Sequence, residues 1–283
     1  MQRAKLLCGS IAAILRLCSL LLSSPAAAQS GESSCLSSAI VSVPSRPTVT
    51  SSTDTTQCGV VEVEYGYDHQ WTGAGEHLND LAGGLRVGLT SNLDFHWSST
   101  AFLSIVNGTE SYTGYGDTWL GLRYRLLRQS KRRPSFGLFY AAKVPSASSA
   151  AGLGSGQVDH SISFLASKDA GKFHFDFNLI ELLAGRSPGS GMDHNSGFAL
   201  STQYALTRRW SLVMEPYGYT LLNQSTPAFA STMAGVVCQI EPRLFLDSGV
   251  DFGITSAAPE KRAFVGVTYA IANVYSRLRP NRH

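Results

Sequence analysis

The feature that most limits what this chain can fold into is a one-for-one alternation of apolar and polar residues that begins just after Gly59 and recurs along the rest of the chain. Val61, Val63, Tyr65 and Tyr67 alternate with Glu62, Glu64 and Gly66. Leu120, Leu122, Tyr124 and Leu126 alternate with Gly121, Arg123 and Arg125, and Phe173, Phe175, Phe177 and Leu179 alternate with His174, Asp176 and Asn178. A period of two sends successive side chains to opposite faces of a β-strand, whereas a helix repeats its apolar residues three and four apart. Strands are expected at 59–68, 80–90, 93–104, 117–127, 135–145, 158–168, 172–182, 195–206, 209–220, 231–240, 243–254 and 262–274. The phase slips at Ile180-Glu181, where a β-bulge is expected.

The connections alternate in length. Ser91-Asn92, 128–134, 169–171, Thr207-Arg208 and Glu241-Pro242 are short, while 70–79, 107–116, 146–157, 184–194 and 221–230 are longer. Short turns on one side and long loops on the other, around an even number of strands, form the pattern of a membrane barrel with both termini in the periplasm. The fold class is therefore read as all-β: a transmembrane antiparallel up-and-down β-barrel of about 12 strands. A polar face rich in Gly, Ser, Asp and Arg suits a wet interior, and aromatic residues such as Tyr124, Phe136, Phe173, Tyr204 and Trp210 gather near the strand ends as interfacial girdles do. Closure matters because lipid cannot satisfy an open sheet edge.

Export is written at the start. Arg3 and Lys5, the apolar run Leu6 to Leu22 and the small residues Ala26-Ala27-Ala28 make 1–28 a cleaved signal peptide, and place the barrel in the outer membrane of a Gram-negative cell. Losing Arg3, Lys5 and Arg16 brings the formal charge of +3 to zero, which removes any argument for nucleic acid. Residues 29–57 are rich in Ser and Thr and read as a flexible leader or linker, too short for a folded plug. The barrel is expected over 58–275 and a basic C-terminal tail over 276–283. Cys35 and Cys58 flank the leader and are a candidate disulfide, although spacing alone leaves other pairings open. Nothing has zinc-type, phosphate-loop or dinucleotide-binding spacing, so no metal or cofactor is expected.

One stretch carries a sharper signal. Gly116-Asp117-Thr118-Trp119-Leu120-Gly121-Leu122-Arg123-Tyr124-Arg125-Leu126-Leu127 resembles the G-D-x-x-L-G-L-K-Y-R-L strand of the outer-membrane family labelled putative MetA-pathway of phenol degradation, or simply "transporter". Phe136 to Pro145, Gly154-Ser155-Gly156 with Val158-Asp159-His160-Ser161, and Tyr204-Ala205-Leu206-Thr207 with Trp210-Ser211-Leu212 resemble further strands of that family. The resemblance spans Val61 to Tyr269. It implies an outer-membrane barrel that takes up small aromatic compounds; many such barrels end on an aromatic residue, whereas here a basic tail follows Ala272.

On the polar face, Glu62, Glu64, Arg86, Asp94, His96, Arg123, Arg125, Lys143, His174, Asp176, Glu215, Asp247 and Asp251 are expected to line the lumen. Such mixed charge either selects what passes or pairs internally and stiffens a closed barrel. The expected partners are outer-membrane lipid and a small solute. Three functions stay open: a channel for small, aromatic or hydrophobic solutes; a closed structural or adhesive barrel; and a lipid hydrolase using His194 and Ser196, which share a strand face in Asp193-His194-Asn195-Ser196-Gly197. The reading favours the channel, and no enzyme is expected.

Overall fold

The computed structural model describes Cys35, Ser37 and residues 39–73, 75–186, 189–222 and 227–277. The expected signal peptide and residues 278–283 of the basic tail lie outside these. The strands are β1 (Val60–Gly73), β2 (Glu76–Gly88), β3 (Leu93–Asn107), β4 (Glu110–Gly114), β5 (Thr118–Leu127), β6 (Ser135–Val144), β7 (Asp159–Ala170), β8 (Phe173–Gly185), β9 (Met192–Ala205), β10 (Trp210–Tyr219), β11 (Phe229–Glu241), β12 (Leu244–Gly253) and β13 (Lys261–Asn273).

Neighbours in sequence pair antiparallel around the sheet, and β1 pairs with β13 from Val60↔Asn273 to Trp71↔Lys261, which closes it. The short β4 returns along the far end of β3, and β5 continues below it on the same edge, pairing from Ser99↔Thr118 to Leu93↔Tyr124. These two segments make one stave, so the barrel has twelve. Among the described residues the helix is a single turn at Val274–Arg277.

The apolar face is the outer one. On β5, Leu122 is 46% exposed while its neighbour Arg123 is 1% exposed. That inverts the arrangement of a soluble barrel and suits a lipid surround. A small apolar patch of Val213, Met233, Val237 and Phe264, with Phe245 against it, lies inside β10–β13.

Three departures from the sequence reading have physical causes. The hairpin β1–β2 runs through 70–79, expected as a long loop, and returns between Gly73 and Gly75, both at positive φ. Alternation fades where strands leave the apolar belt, but backbone pairing does not. The same holds for β4, in a segment read as loop. At Ile180-Glu181 the sheet shows no register shift; β8 pairs straight through with β7 and β9. The break in phase is a reversal of polarity, with Glu181 on the outer face and held by its neighbours. Register shifts fall instead at Val61/Glu62, Trp71/Gly73, Leu81/Ala82, Arg125/Leu127 and Gln239/Glu241.

Candidate functional site: a lumen circled by the N-terminal segment

Residues 39–57 are not a free linker. They enter the barrel at the mouth ringed by its short turns, follow the inner wall around the lumen and leave beside their point of entry. The entry limb is held by Ser42, whose backbone N–H donates to the Pro242 carbonyl at 2.9 Å. The Val43 and Ser45 amides then donate to Glu62 and Glu64, each at 2.7 Å. Arg46 lies against the inner face of the β1–β13 pair, over Gly66 and Gly266, and pairs with Asp247 on β12 at 3.4 Å. Farther round, the Val49 and Thr50 amides both donate to the Glu215 carboxylate on β10 at 2.7 Å. Ser51 and Asn178 on β8 exchange two bonds, at 2.7 and 2.9 Å. Thr53 donates to Ser167 Oγ on β7 at 2.8 Å, and Thr56 donates to Asp94 on β3 at 2.7 Å.

The composition explains why this segment fits. Ser and Thr are small, and its backbone supplies donors that a polar wall can satisfy one by one. A buried carboxylate is costly unless hydrogen-bonded, and these carboxylates obtain their partners from the segment. Space for Arg46 comes from Gly66 and Gly266, which face each other across β1–β13; a Cβ on either would overlap its guanidinium. The segment is closed on itself by a disulfide between Cys35 and Cys58, with Cα atoms 4.7 Å apart, while Cys238 is free and buried.

The structure places all thirteen lumen candidates at inward positions, in separate groups. Arg86 on β2 donates to both Glu62 and Glu64, the latter at 2.7 Å, and to the Val43 carbonyl at 2.6 Å. Asp94 collects Arg123 and His96, and Arg125 reaches Asp54 of the segment at 3.0 Å. His174 lies between Asp169 and Asp176, at 2.7 and 3.0 Å. Asp251 accepts from Tyr217 at 2.8 Å and Arg262 at 3.3 Å, and Asp247 faces Arg46. Lys143 stands apart near the far mouth, with Asp159 at 2.5 Å and Asp117 at 3.4 Å. Alternation points inward but does not pair residues across strands. It also passes over Arg46, which lies in no strand, and Ser167 and Asn178, which carry no charge.

Two cavities border the segment. One, of about 520 Å³, lies between its limbs and the β3–β8 wall and includes Arg125, Arg128, Lys168 and His174 in its lining. The other, of about 370 Å³, combines an apolar side of Val43, Pro44, Pro47, Val213 and Phe245 with Asp176, His174 and Gln203. Their sizes fall in the range of small-molecule sites.

The hydrolase candidates lie elsewhere, on the outer face. Ser196 Oγ donates to Glu181 Oε2 at 2.8 Å, and His194 Nδ1 meets Glu181 Oε1 at 2.9 Å. The carboxylate separates serine from histidine, and among the described residues no hydrogen bond joins that nucleophile to that base, as activation requires.

A family model described as "Putative MetA-pathway of phenol degradation" matches residues 45–271. No curated protein sequence matches the chain. Among solved structures, an outer membrane channel from Pseudomonas putida F1 is 14% identical with a TM-score of 0.64, the match covering 80% of this chain and 100% of that one. The NanC porin is 11% identical, TM-score 0.51, over 75% of this chain and 100% of that chain. The KdgM porin, solved in complex with disordered oligogalacturonate, is 9% identical, TM-score 0.51, over 74% and 99%. At these identities the likeness is one of fold.

Proposed function

We propose, from the premise that this chain belongs to the putative MetA-pathway of phenol degradation family, that it is an outer-membrane channel for small solutes, with residues 39–57 as its constriction. The observation that carries the reading is how the segment is held. Its grip on the wall consists largely of hydrogen bonds from backbone amides to carboxylate, amide and hydroxyl side chains, doubled at Glu215 and Asn178. Water can replace such bonds, each worth about 0.5–3 kcal/mol net, so a permeating solute can shift the segment without unfolding the sheet.

The smaller cavity favours a solute with an apolar or aromatic body. Val213 and Phe245 line it together with Pro44 and Pro47, and Gln203, the cross-strand neighbour of Val213, adds polar atoms beside them with His174 and Asp176. That fits the family's label and the exported location read from the signal peptide.

Single-channel conductance of the refolded mature chain in planar bilayers, with and without residues 29–57, tests this. Discrete conductance in the full chain, larger after truncation, is the expected result. A truncated barrel that folds yet neither conducts nor admits small aromatic solutes into vesicles would leave a closed structural barrel.

A further inference from the structure

The periplasmic rim carries a marked excess of positive charge. Four of its turns, 128–134, 168–172, 206–209 and 241–243, hold Arg128, Lys131, Arg132, Arg133, Lys168, Lys172, Arg208, Arg209 and Arg243 against only Asp169 and Glu241. The mature chain is formally neutral, so this is a concentration of cations and not a general excess.

The first of these turns is built to hold its shape. Lys168 Nζ donates to the Ser130 carbonyl at 2.6 Å and reaches the Lys131 and Arg133 carbonyls at 3.4 and 3.5 Å. The Asp169 backbone N–H donates to Gln129 Oε1 at 3.0 Å, and Gln129 Nε2 donates back to the Asp169 carboxylate. Lys131, Arg132 and Arg133 remain exposed on this clamped turn, as do Lys172, Arg208 and Arg209 on the next two. No acid pairs with any of these six among the described residues.

Their height is fixed by the apolar belt. Lys172 Nζ lies 5.8 Å from the ring of Tyr204, and the Arg243 guanidinium lies 5.2 Å over the ring of Tyr269. Both rings sit on the outer face. Beside the turns, Leu126, Leu127, Phe173, Leu206 and Trp210 are exposed on that face too. Cations that begin where lipid-facing apolar side chains end lie in the headgroup plane.

We infer that this rim binds the phosphates of anionic phospholipids in the periplasmic leaflet, with the 128–134 turn and Arg208-Arg209 as its principal contacts. The inference rests on the membrane placement argued above and not on transport. A cation near an anionic leaflet is worth roughly fivefold in partitioning, so three together give a preference that is easily read.

The test reconstitutes the refolded mature protein with equal phosphatidylglycerol and phosphatidylethanolamine, then counts the lipids retained by native mass spectrometry. Phosphatidylglycerol should be retained severalfold over phosphatidylethanolamine, the excess falling as salt rises. It should fall at least threefold in the triple variant K131E/R132E/R133E or in R208E/R209E, with folding checked by heat-modifiable migration. If neither variant folds, the salt series on the unaltered protein decides. Equal retention of the two lipids overturns the proposal, and so does a preference that survives both folded variants; equal retention is also the outcome if the rim serves an acidic protein instead.

Discussion

Arg123 grips Asp94 with two bonds across the β3–β5 pair, Nη2 to Oδ2 at 2.5 Å and Nε to Oδ1 at 3.2 Å. The two residues are direct cross-strand partners. Each also touches the inner segment, Asp94 through the Thr56 amide and Arg123 through the Ser52 carbonyl at 3.1 Å. One pair thus joins two strands of the wall and seats the returning limb of the segment.

Arg123→Ala is therefore expected to cost more than a surface ion pair. It leaves a fully buried carboxylate with only His96 and the Thr56 amide as partners, and removing the charged partner of a buried pair costs up to about 3–5 kcal/mol. A lower urea midpoint for barrel unfolding in vesicles measures it. Arg123→Lys keeps the charge, loses the two-point geometry and should fall in between. Equal midpoints for the wild type and both variants would mean that the pair is not a support.

Glu215→Ala removes the acceptor of two segment amides at once. Docking should weaken by roughly 2–4 kcal/mol, read as a rise in the time spent conducting. Glu215→Gln retains one acceptor oxygen and should show a smaller rise. If the Ala variant matches the wild type in a bilayer, this contact does not hold the segment.

Gly66→Ala puts a methyl group where the Arg46 guanidinium lies. The barrel should still assemble, because the nearest atoms belong to the tip of a flexible side chain. Arg46 should leave its slot, and the backbone amides of residues 45, 46 and 48–50 should exchange faster with deuterium. Unchanged protection would show that the paired glycines are not what admits the segment.

Cys35→Ser opens the covalent loop. Closing a loop of this size is worth about 3 kcal/mol in the chain-entropy account, so the segment should be cut sooner by protease added from the periplasmic side, with the barrel intact. Equal cleavage times would assign its retention to hydrogen bonds alone.

The staves and their inward residues were legible because both depend on side-chain alternation, which a closed sheet between lipid and water imposes directly. Leu122 and Arg123 are adjacent in sequence and opposite in environment, and that contrast is written into residue type. The path of 39–57 was not legible for the same reason turned round. Val43, Val49, Thr53 and Thr56 are held through backbone N–H groups that every non-proline residue carries, so composition showed only a supple polar stretch. Glu181 misled differently. Its outward carboxylate is satisfied by His194 and Ser196, a cross-strand arrangement that no single strand displays, and in one dimension it looks like a bulge.

The disulfide has a mechanical consequence. Tension applied to Cys35 from its N-terminal side passes through the sulfur bridge into Cys58 and the foot of β1. The stretch between the two cysteines lies off that line of force, as a slack bight whose two ends meet at one mouth. Pulling the chain by its N-terminal side would load the wall and leave the lumen filled; emptying it requires the bight itself to be pushed or drawn down, with no free end to unthread.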